Sequence, residues 1–137
     1  MSPKIIKGNI HSDSRGTLYY NNDFDASQIK RIYFIENIDT DFIRGWQGHK
    51  IEQRWFSAVL GSFRISILPI VSFESSTQKV KPLIFELFSK QLDVLHTPGG
   101  YVTAIQALES NAKLLVMADY HLGEINDEYR FEVKSIK

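Results

Sequence analysis

A run of ten residues near the middle of the chain carries several side chains with useful chemistry. Residues 44–53 (RGWQGHKIEQ) combine an arginine, an amide, an imidazole, a lysine and a carboxylate. The imidazole of His49 can act as a proton acceptor, because its unperturbed pKa of about 6.5 leaves much of it neutral at pH 7. Arg44 and Lys50 carry the charges that bind phosphate oxygens. Chemistry is therefore sought first in this run; in the alternative interpretation His49 is a structural or merely exposed histidine.

Two segments that follow this run have the alternating pattern of strands, and they must hold the run in place. Residues 54–60 and residues 63–68 each alternate with the period of two that is typical of strands. Gly61 and Ser62 separate them, and glycine at the first position of a two-residue loop favours a type II′ turn. We therefore predict a long hairpin with the candidate site at its mouth.

An earlier segment predicts a further wall of the site. Residues 30–35 have the pattern of a strand, which places Arg31 and Tyr33 on the same face. In one interpretation both side chains lie on the inner wall of a pocket. In the other, a surface arginine lies beside a half-buried tyrosine.

The rest of the chain predicts many short strands. Turn signals recur, as at residues 97–100 (TPGG), and this pattern is typical of an all-β sandwich or barrel. We predict one domain over residues 1–137, a loop over residues 72–81 and a terminal strand over residues 129–133. Helical periodicity is weak and confined to residues 23–29.

Composition excludes several classes of function. Sixteen basic residues balance sixteen acidic ones, so no overall field recruits nucleic acid or an anionic membrane. The chain has no cysteine, no apolar run near the ~20 residues of a membrane span, and no apolar signal region at residues 1–7. We expect a soluble, cytoplasmic protein in which a few local arginines and lysines bind any anion.

Several motifs in this chain match a known series in order and spacing. Residues 13–18 (DSRGTL) are similar to D-x-R-G-x-L/F, and residues 29–35 (IKRIYFI), 44–50 (RGWQGHK), 52–53 (EQ) and 61–62 (GS) to I-K-R-V-Y-Y-I and R-G-x-H-x-H-K…E-Q…G-S. Residues 98–103 (PGGYVT) resemble P-x-G-F-A-H, and residues 118–120 (ADY) resemble S-D-Y. Together they resemble the cupin sugar-nucleotide enzymes: the dTDP-4-keto-6-deoxyglucose 3,4-ketoisomerases and, more distantly, the dTDP-4-dehydrorhamnose 3,5-epimerases.

The resemblance implies an all-β double-stranded β-helix, the cupin jelly roll, that works as a homodimer without redox cofactor or metal. It implies a nucleotide-activated 4-keto-6-deoxy sugar as substrate, with proton transfer next to the carbonyl. Arg15 and Arg44 are the candidates for the pyrophosphate because the guanidinium fork suits its oxygens; in the alternative interpretation each arginine fixes a turn by bonding backbone carbonyls. Our candidate catalytic residues are His49, Tyr33 and Gln47; our candidate substrate-binding residues are Arg15, Arg44, Lys50, Glu52 and Arg31.

Two positions depart from the resemblance. Gln47 and Thr103 stand where the related enzymes have histidines, and a glutamine cannot act as a base at neutral pH. We therefore expect a 3,4-ketoisomerase that uses His49 alone, with two alternatives: a binder of sugar nucleotides without turnover, or an enzyme closer to the 3,5-epimerases. His96 is a further histidine that could line the pocket. We expect no catalytic metal, because one imidazole and one carboxylate fall short of the three protein ligands of a catalytic zinc site.

Overall fold

The structure is a computed structural model that describes residues 1–74 and 80–133. Within these ranges the chain is almost entirely β, as predicted. The strands are β1 (Lys4–Ile6), β2 (Asn9–Asp13), β3 (Gly16–Tyr20), β4 (Arg31–Ile35), β5 (Ile43–His49), β6 (Arg54–Leu60), β7 (Ser62–Pro69), β8 (Leu83–Phe88), β9 (Val94–Thr97), β10 (Tyr101–Ala107), β11 (Lys113–Ala118) and β12 (Glu128–Arg130). One helical turn, α1 (Val71–Glu74), follows β7, and no helix in the described ranges is long and apolar enough to cross a membrane.

Ten of these strands form two antiparallel sheets that face each other. The first has the order β1-β9-β6-β11-β4, and the second has the order β12-β5-β10-β7-β8. Strands β2 and β3 form a separate hairpin. Two facing antiparallel sheets of this kind are a jelly-roll arrangement, which is the predicted architecture.

The main core lies between the two sheets. Phe56 and Leu114 from the first sheet pack in one cluster with Phe63 and Ile65 from the second, and all four side chains are buried. A second cluster covers the outer face of the second sheet, where Trp46 packs with Phe73 and residues after β12. These clusters hold the two sheets together, while one end of the space between the sheets stays open.

The predicted hairpin of residues 54–60 and 63–68 is wrong in its pairing. Both segments are strands, but β6 pairs with β9 and β11, whereas β7 pairs with β8 and β10. Gly61, with φ of +70°, carries the chain from one sheet to the other. The reason is burial: Phe56 and Phe63 pack across the core in one cluster, which edge-to-edge pairing of β6 with β7 would not achieve.

Two smaller predictions also need correction. Residues 72–74 of the predicted loop belong to α1, and residues 75–79 lie outside the described part of the chain. The terminal strand is Glu128–Arg130 rather than residues 129–133, although Phe131 still exchanges two backbone hydrogen bonds with Trp46. Residues 23–29 form no helix; Asn21 instead accepts hydrogen bonds there through its side chain.

Strand β5 carries the candidate site between two neighbours. His49 lies opposite Tyr101 of β10 and Glu128 of β12, and Gln47 lies opposite Thr103 and Arg130. β10 approaches β5 so closely that a Cβ atom at Gly48 would meet the carbonyl oxygen of Tyr101 at 2.0 Å. The glycine between Gln47 and His49 therefore allows this approach.

Candidate active site

The open end of the sheet pair holds a cavity of about 690 Å³. This volume falls in the range of about 300–1,000 Å³ that is typical of sites for small molecules. Its walls come from strands β4, β5, β6 and β10 and from the segment that leads into β12. The cavity lining includes six of the eight candidate residues: Arg31, Tyr33, Arg44, Gln47, His49 and Glu52.

At the centre of the cavity wall, an arginine joins three of these residues. Arg54, the first residue of β6, donates hydrogen bonds to the Glu52 carboxylate and to the Tyr33 hydroxyl. Its Nη2 lies 3.4 Å from His49 Nε2, and that nitrogen lies 3.7 Å from Glu52 Oε2. The side chains of His49, Glu52 and Arg54 are only 11%, 9% and 15% exposed. The imidazole therefore faces a buried ion pair.

The turn between β5 and β6 is fixed by one buried carboxylate. Asp127 accepts hydrogen bonds from the backbone N–H groups of Lys50, Ile51 and Glu52, at 3.0, 2.8 and 2.9 Å. Those three amides lie between strands, so they have no ladder partner and need another acceptor. Asp127 thereby fixes the backbone that carries Glu52 next to His49 and ties the C-terminal segment to the cavity.

The surroundings of His49 favour the neutral imidazole. Its pKa is lowered, first because burial disfavours the charged ring and second because the Arg54 guanidinium repels it. Glu52, Asp127 and Glu128 act in the opposite direction without reversing the shift. A lowered pKa means that His49 is more fully neutral at pH 7 than a free histidine, which is the state a proton acceptor needs.

Gln47 is bound to a second arginine–carboxylate pair. Its Nε2 donates to Glu128 Oε1 at 2.5 Å, and Arg130 donates to the same oxygen at 2.9 and 2.7 Å. Thr103, on the neighbouring strand β10, lies opposite Gln47. The two positions that depart from the resemblance therefore form one cross-strand pair, and the Gln47 amide is anchored to the cavity wall.

Arg31 and Arg44 are the cavity guanidiniums best placed for an external anion. Arg31 lies over the Tyr33 ring at 4.5 Å, and Arg44 lies 5.9 Å from the Phe42 ring centre. In the described ranges neither forms an ion pair with a carboxylate, whereas Arg54 and Arg130 both do. Arg31 and Arg44 can therefore offer their charge to a ligand.

Three other sequence candidates lie elsewhere. Lys50 points out of the cavity, to Glu74 at 3.2 Å. Arg15 lies at the tip of the β2–β3 hairpin, 86% exposed and bonded to Asp13, so one chain does not bring it to the cavity. His96 does not line the cavity either, because its ring stacks on Trp55 at 4.9 Å between centroids.

The motifs did not reveal Arg54, Asp127, Glu128 and Arg130. An arginine at the start of an otherwise apolar strand was a usable signal for Arg54, because an inward-facing charge needs a partner. The other three lie in a polar segment of mixed charge, where the only prediction was the strand over residues 129–133 and no motif marked a functional residue. Within the described residues, no group of three or more histidines, aspartates and glutamates is arranged to hold a metal ion.

No protein-family model matches the chain, and no curated protein matches it. Solved structures do. A variant of the 3,4-ketoisomerase QdtA from Thermoanaerobacterium thermosaccharolyticum, in complex with TDP-4-keto-6-deoxyglucose, superimposes with a TM-score of 0.74 at 22% identity, over 95% of this chain and 88% of that one. This chain has the cupin jelly-roll fold.

Two more solved structures have a similar fold. A 3,4-ketoisomerase from Helicobacter canadensis matches with a TM-score of 0.64 at 25% identity, over 90% of this chain and 89% of that one. The rmlC epimerase from Mycobacterium tuberculosis matches with a TM-score of 0.73 at 14% identity, over 94% and 68%. Both branches of the resemblance found in the sequence are therefore represented among the structural neighbours.

We predict that Asp127→Asn destabilises the protein. The amide of asparagine keeps one acceptor oxygen but places N–H donors against N–H donors, so at least one charge-assisted bond is lost without replacement. The free energy of unfolding should fall by about 2 kcal/mol, measured by urea denaturation. Asp23→Asn, at an exposed position, is the matched control. Equal unfolding free energies for the two variants would contradict the assigned role of Asp127.

Proposed function

We propose that this cupin is an isomerase of a nucleotide-activated 4-keto-6-deoxy hexose and performs a 3,4-ketoisomerisation. The observation that carries the proposal is the buried His49 imidazole, biased to its neutral form, in a cavity of suitable size beside the Tyr33 phenol and the Arg54 guanidinium. The similar fold of a ketoisomerase whose structure contains TDP-4-keto-6-deoxyglucose supports the choice of substrate.

The proposed reaction moves one proton between adjacent carbons. The C4 carbonyl acidifies the C3–H bond, and His49 removes this proton while the C4 oxygen becomes enolic. His49 then returns a proton to C4, and the hydroxyl proton of C3 passes to the C4 oxygen, which leaves a C3 ketone. Tyr33, bonded to Arg54, is our candidate to hold the oxygen and relay its proton. The oxidation at C3 and the reduction at C4 balance within the sugar, so the reaction needs no redox cofactor.

The nucleotide would be held by its pyrophosphate. Arg31 and Arg44 line the cavity without carboxylate partners in the described ranges, and a guanidinium fork matches two phosphate oxygens. Gln47 lies between Arg44 and His49 along β5, but its amide is bonded to Glu128. We therefore assign Gln47 to the wall that the sugar contacts rather than to proton transfer.

We also propose a homodimer. β4 is the edge strand of the first sheet, and its outer face exposes Ile32 and Phe34. The β2–β3 hairpin exposes Leu18 and Tyr19. Unpaired edges with apolar side chains favour association with another chain, and two copies of this chain would cover both surfaces. In such a dimer Arg15, at the hairpin tip, can serve only the cavity of the partner chain.

A second candidate function is binding without turnover. The specific observation in its favour is that Gln47 and Thr103 occupy the cross-strand pair where the resemblance expects histidines. A cavity with one imidazole can still bind a sugar nucleotide through Arg31 and Arg44. The 3,5-epimerase alternative is weaker, because its chemistry at C5 relies on the position that Gln47 occupies.

We predict that the wild-type protein exchanges deuterium into dTDP-4-keto-6-deoxyglucose. Incubation in deuterated water followed by NMR of the sugar should show incorporation at C3 and C4, faster than in buffer. His49→Asn should lower the rate by roughly 10²- to 10⁴-fold, the usual contribution of a positioned general base. The rate should stay flat above pH 6.5 and fall only below it, because the pKa of His49 is lowered.

The matched control for exchange is His96→Asn, which changes a histidine outside the cavity and should leave the rate nearly unchanged. Incorporation at C5 as well would favour the epimerase. Tight binding of the dTDP-sugar with no exchange at any carbon would refute the isomerase and favour the binding function.

We predict that Arg31→Ala and Arg44→Ala each weaken dTDP binding by about 2 kcal/mol, or roughly thirty-fold in Kd. Calorimetry measures this directly. Arg64→Ala, which removes an arginine of the second sheet paired with Glu86, should bind dTDP like the wild type. Arg15→Ala should weaken binding only if the hairpin reaches the cavity of a partner chain. Unchanged affinity in both Arg31→Ala and Arg44→Ala would remove the pyrophosphate assignment.

We predict a dimer in sedimentation at micromolar concentration. Ile32→Lys combined with Phe34→Lys should shift the sedimenting species to a monomer, because two charges then lie on the surface that we propose to be buried. Leu122→Lys changes another exposed apolar residue and should leave the dimer intact. A monomeric wild-type protein would contradict the homodimer.

A further inference from the structure

Arg54 was absent from the sequence candidates, yet it contacts three of them. The guanidinium donates to the Tyr33 hydroxyl and the Glu52 carboxylate, and its Nη2 approaches His49 Nε2 to 3.4 Å. The side chain is 15% exposed, so water contributes little to its solvation. Its position on β6 is therefore set by these partners, and it can impose an orientation on each of them.

The contact with His49 decides which ring nitrogen carries the proton. A guanidinium has only donors, so a hydrogen bond between Arg54 and His49 requires Nε2 to be the acceptor. In the neutral imidazole this makes Nε2 the unprotonated atom and Nδ1 the protonated one. The separation of 3.4 Å is at the long end for a hydrogen bond, so Arg54 engages the Nε2 lone pair only weakly and leaves it available to a substrate in the cavity.

The same cluster accommodates the protonated ring. When Nε2 gains a proton it becomes a donor, and the Glu52 Oε2 atom, 3.7 Å away, becomes its acceptor. Arg54 thus donates to the neutral imidazole, and Glu52 accepts from the imidazolium. A base that must accept a proton and return it needs both states to be accessible.

The other ionisable groups around His49 come from every neighbouring element. Tyr101 lies opposite on β10 and Glu128 opposite on β12, Asp127 lies in the segment before β12, and Tyr33 faces the cavity from β4. Asp127 and Glu128 favour the imidazolium, as Glu52 does. Arg54 is the cation that opposes these three carboxylates.

We propose that Arg54 is a positioning residue that holds His49 in the neutral Nδ1–H tautomer, with the Nε2 lone pair directed into the cavity. The catalytic meaning of this arrangement rests on the proposed isomerase, in which His49 is the base. The tautomer itself belongs to the ligand-free protein, so it can be tested without any substrate.

The first measurement is a long-range ¹H–¹⁵N NMR spectrum of the ligand-free, ¹⁵N-labelled protein across pH, with His49→Asn used to assign the signals. We expect the Nδ1–H tautomer at neutral pH and a pKa below 6.5. An Nε2–H tautomer for His49 in the wild-type protein would overturn the proposal without recourse to any variant.

The second measurement compares two variants that should shift the pKa of His49 in opposite directions. Arg54→Met removes the cation and should raise the pKa by about one unit or more, while Glu52→Gln removes an anion and should lower it. Arg64→Met, which removes an exposed arginine of an ion pair in the other sheet, should leave it unchanged. General loosening of the site would move both cavity variants toward 6.5, so equal shifts in one direction would overturn the proposal, as would no shift in Arg54→Met.

The outcomes also separate this inference from the proposed function. An Nδ1–H tautomer with opposite shifts in the two variants, found in a protein that exchanges no deuterium into the sugar, would support the role of Arg54 and refute the isomerase. Exchange that depends on His49, in a protein whose His49 is the Nε2–H tautomer, would support the isomerase and refute the role of Arg54.

Discussion

The site depends on a buried ion pair between Arg54 and Glu52. Isolated charges at such depth are costly, and removing one partner of a buried pair typically costs roughly 3–5 kcal/mol. The pair is stable here because Arg54 also bonds Tyr33, and because Asp127 fixes the backbone that carries Glu52. His49 lies against this pair, so its protonation state and orientation follow from the same contacts. The same contacts therefore determine both the protonation state of His49 and the stability of the cavity wall.

The two sheets allow this arrangement by leaving one end of their interface open. The apolar cluster that contains Phe56 and Phe63 fills the space farther in, whereas the cavity at the open end is lined by polar and charged side chains together with apolar ones. The C-terminal segment closes one side, since Glu128 and Arg130 pair with β5 and supply the second charge pair. Arg31 and Arg44 lie at this end, and neither pairs with a carboxylate in the described part of the chain.

Much of the fold followed from local pattern. Alternation in residues 30–35 correctly placed Arg31 and Tyr33 on one face, frequent turns correctly indicated an all-β fold, and the resemblance correctly indicated the jelly roll. The hairpin pairing failed, because period-two alternation defines a strand but does not say which sheet it joins; the packing of Phe56 on Phe63 decides that. Asp127 was not predicted for a related reason. It accepts hydrogen bonds from backbone amides some 75 residues away, and such contacts produce no pattern in the local sequence.

The most direct test of the central claim is a crystal structure of the protein with dTDP-4-keto-6-deoxyglucose bound to His49→Asn, the variant that should not turn it over. The account predicts the pyrophosphate against Arg31 and Arg44, and C3 of the sugar about 3–3.5 Å from the residue 49 side chain, which is the separation of a reactive complex. A sugar nucleotide bound outside the cavity, or one whose C3 and C4 both face away from residue 49, would contradict it.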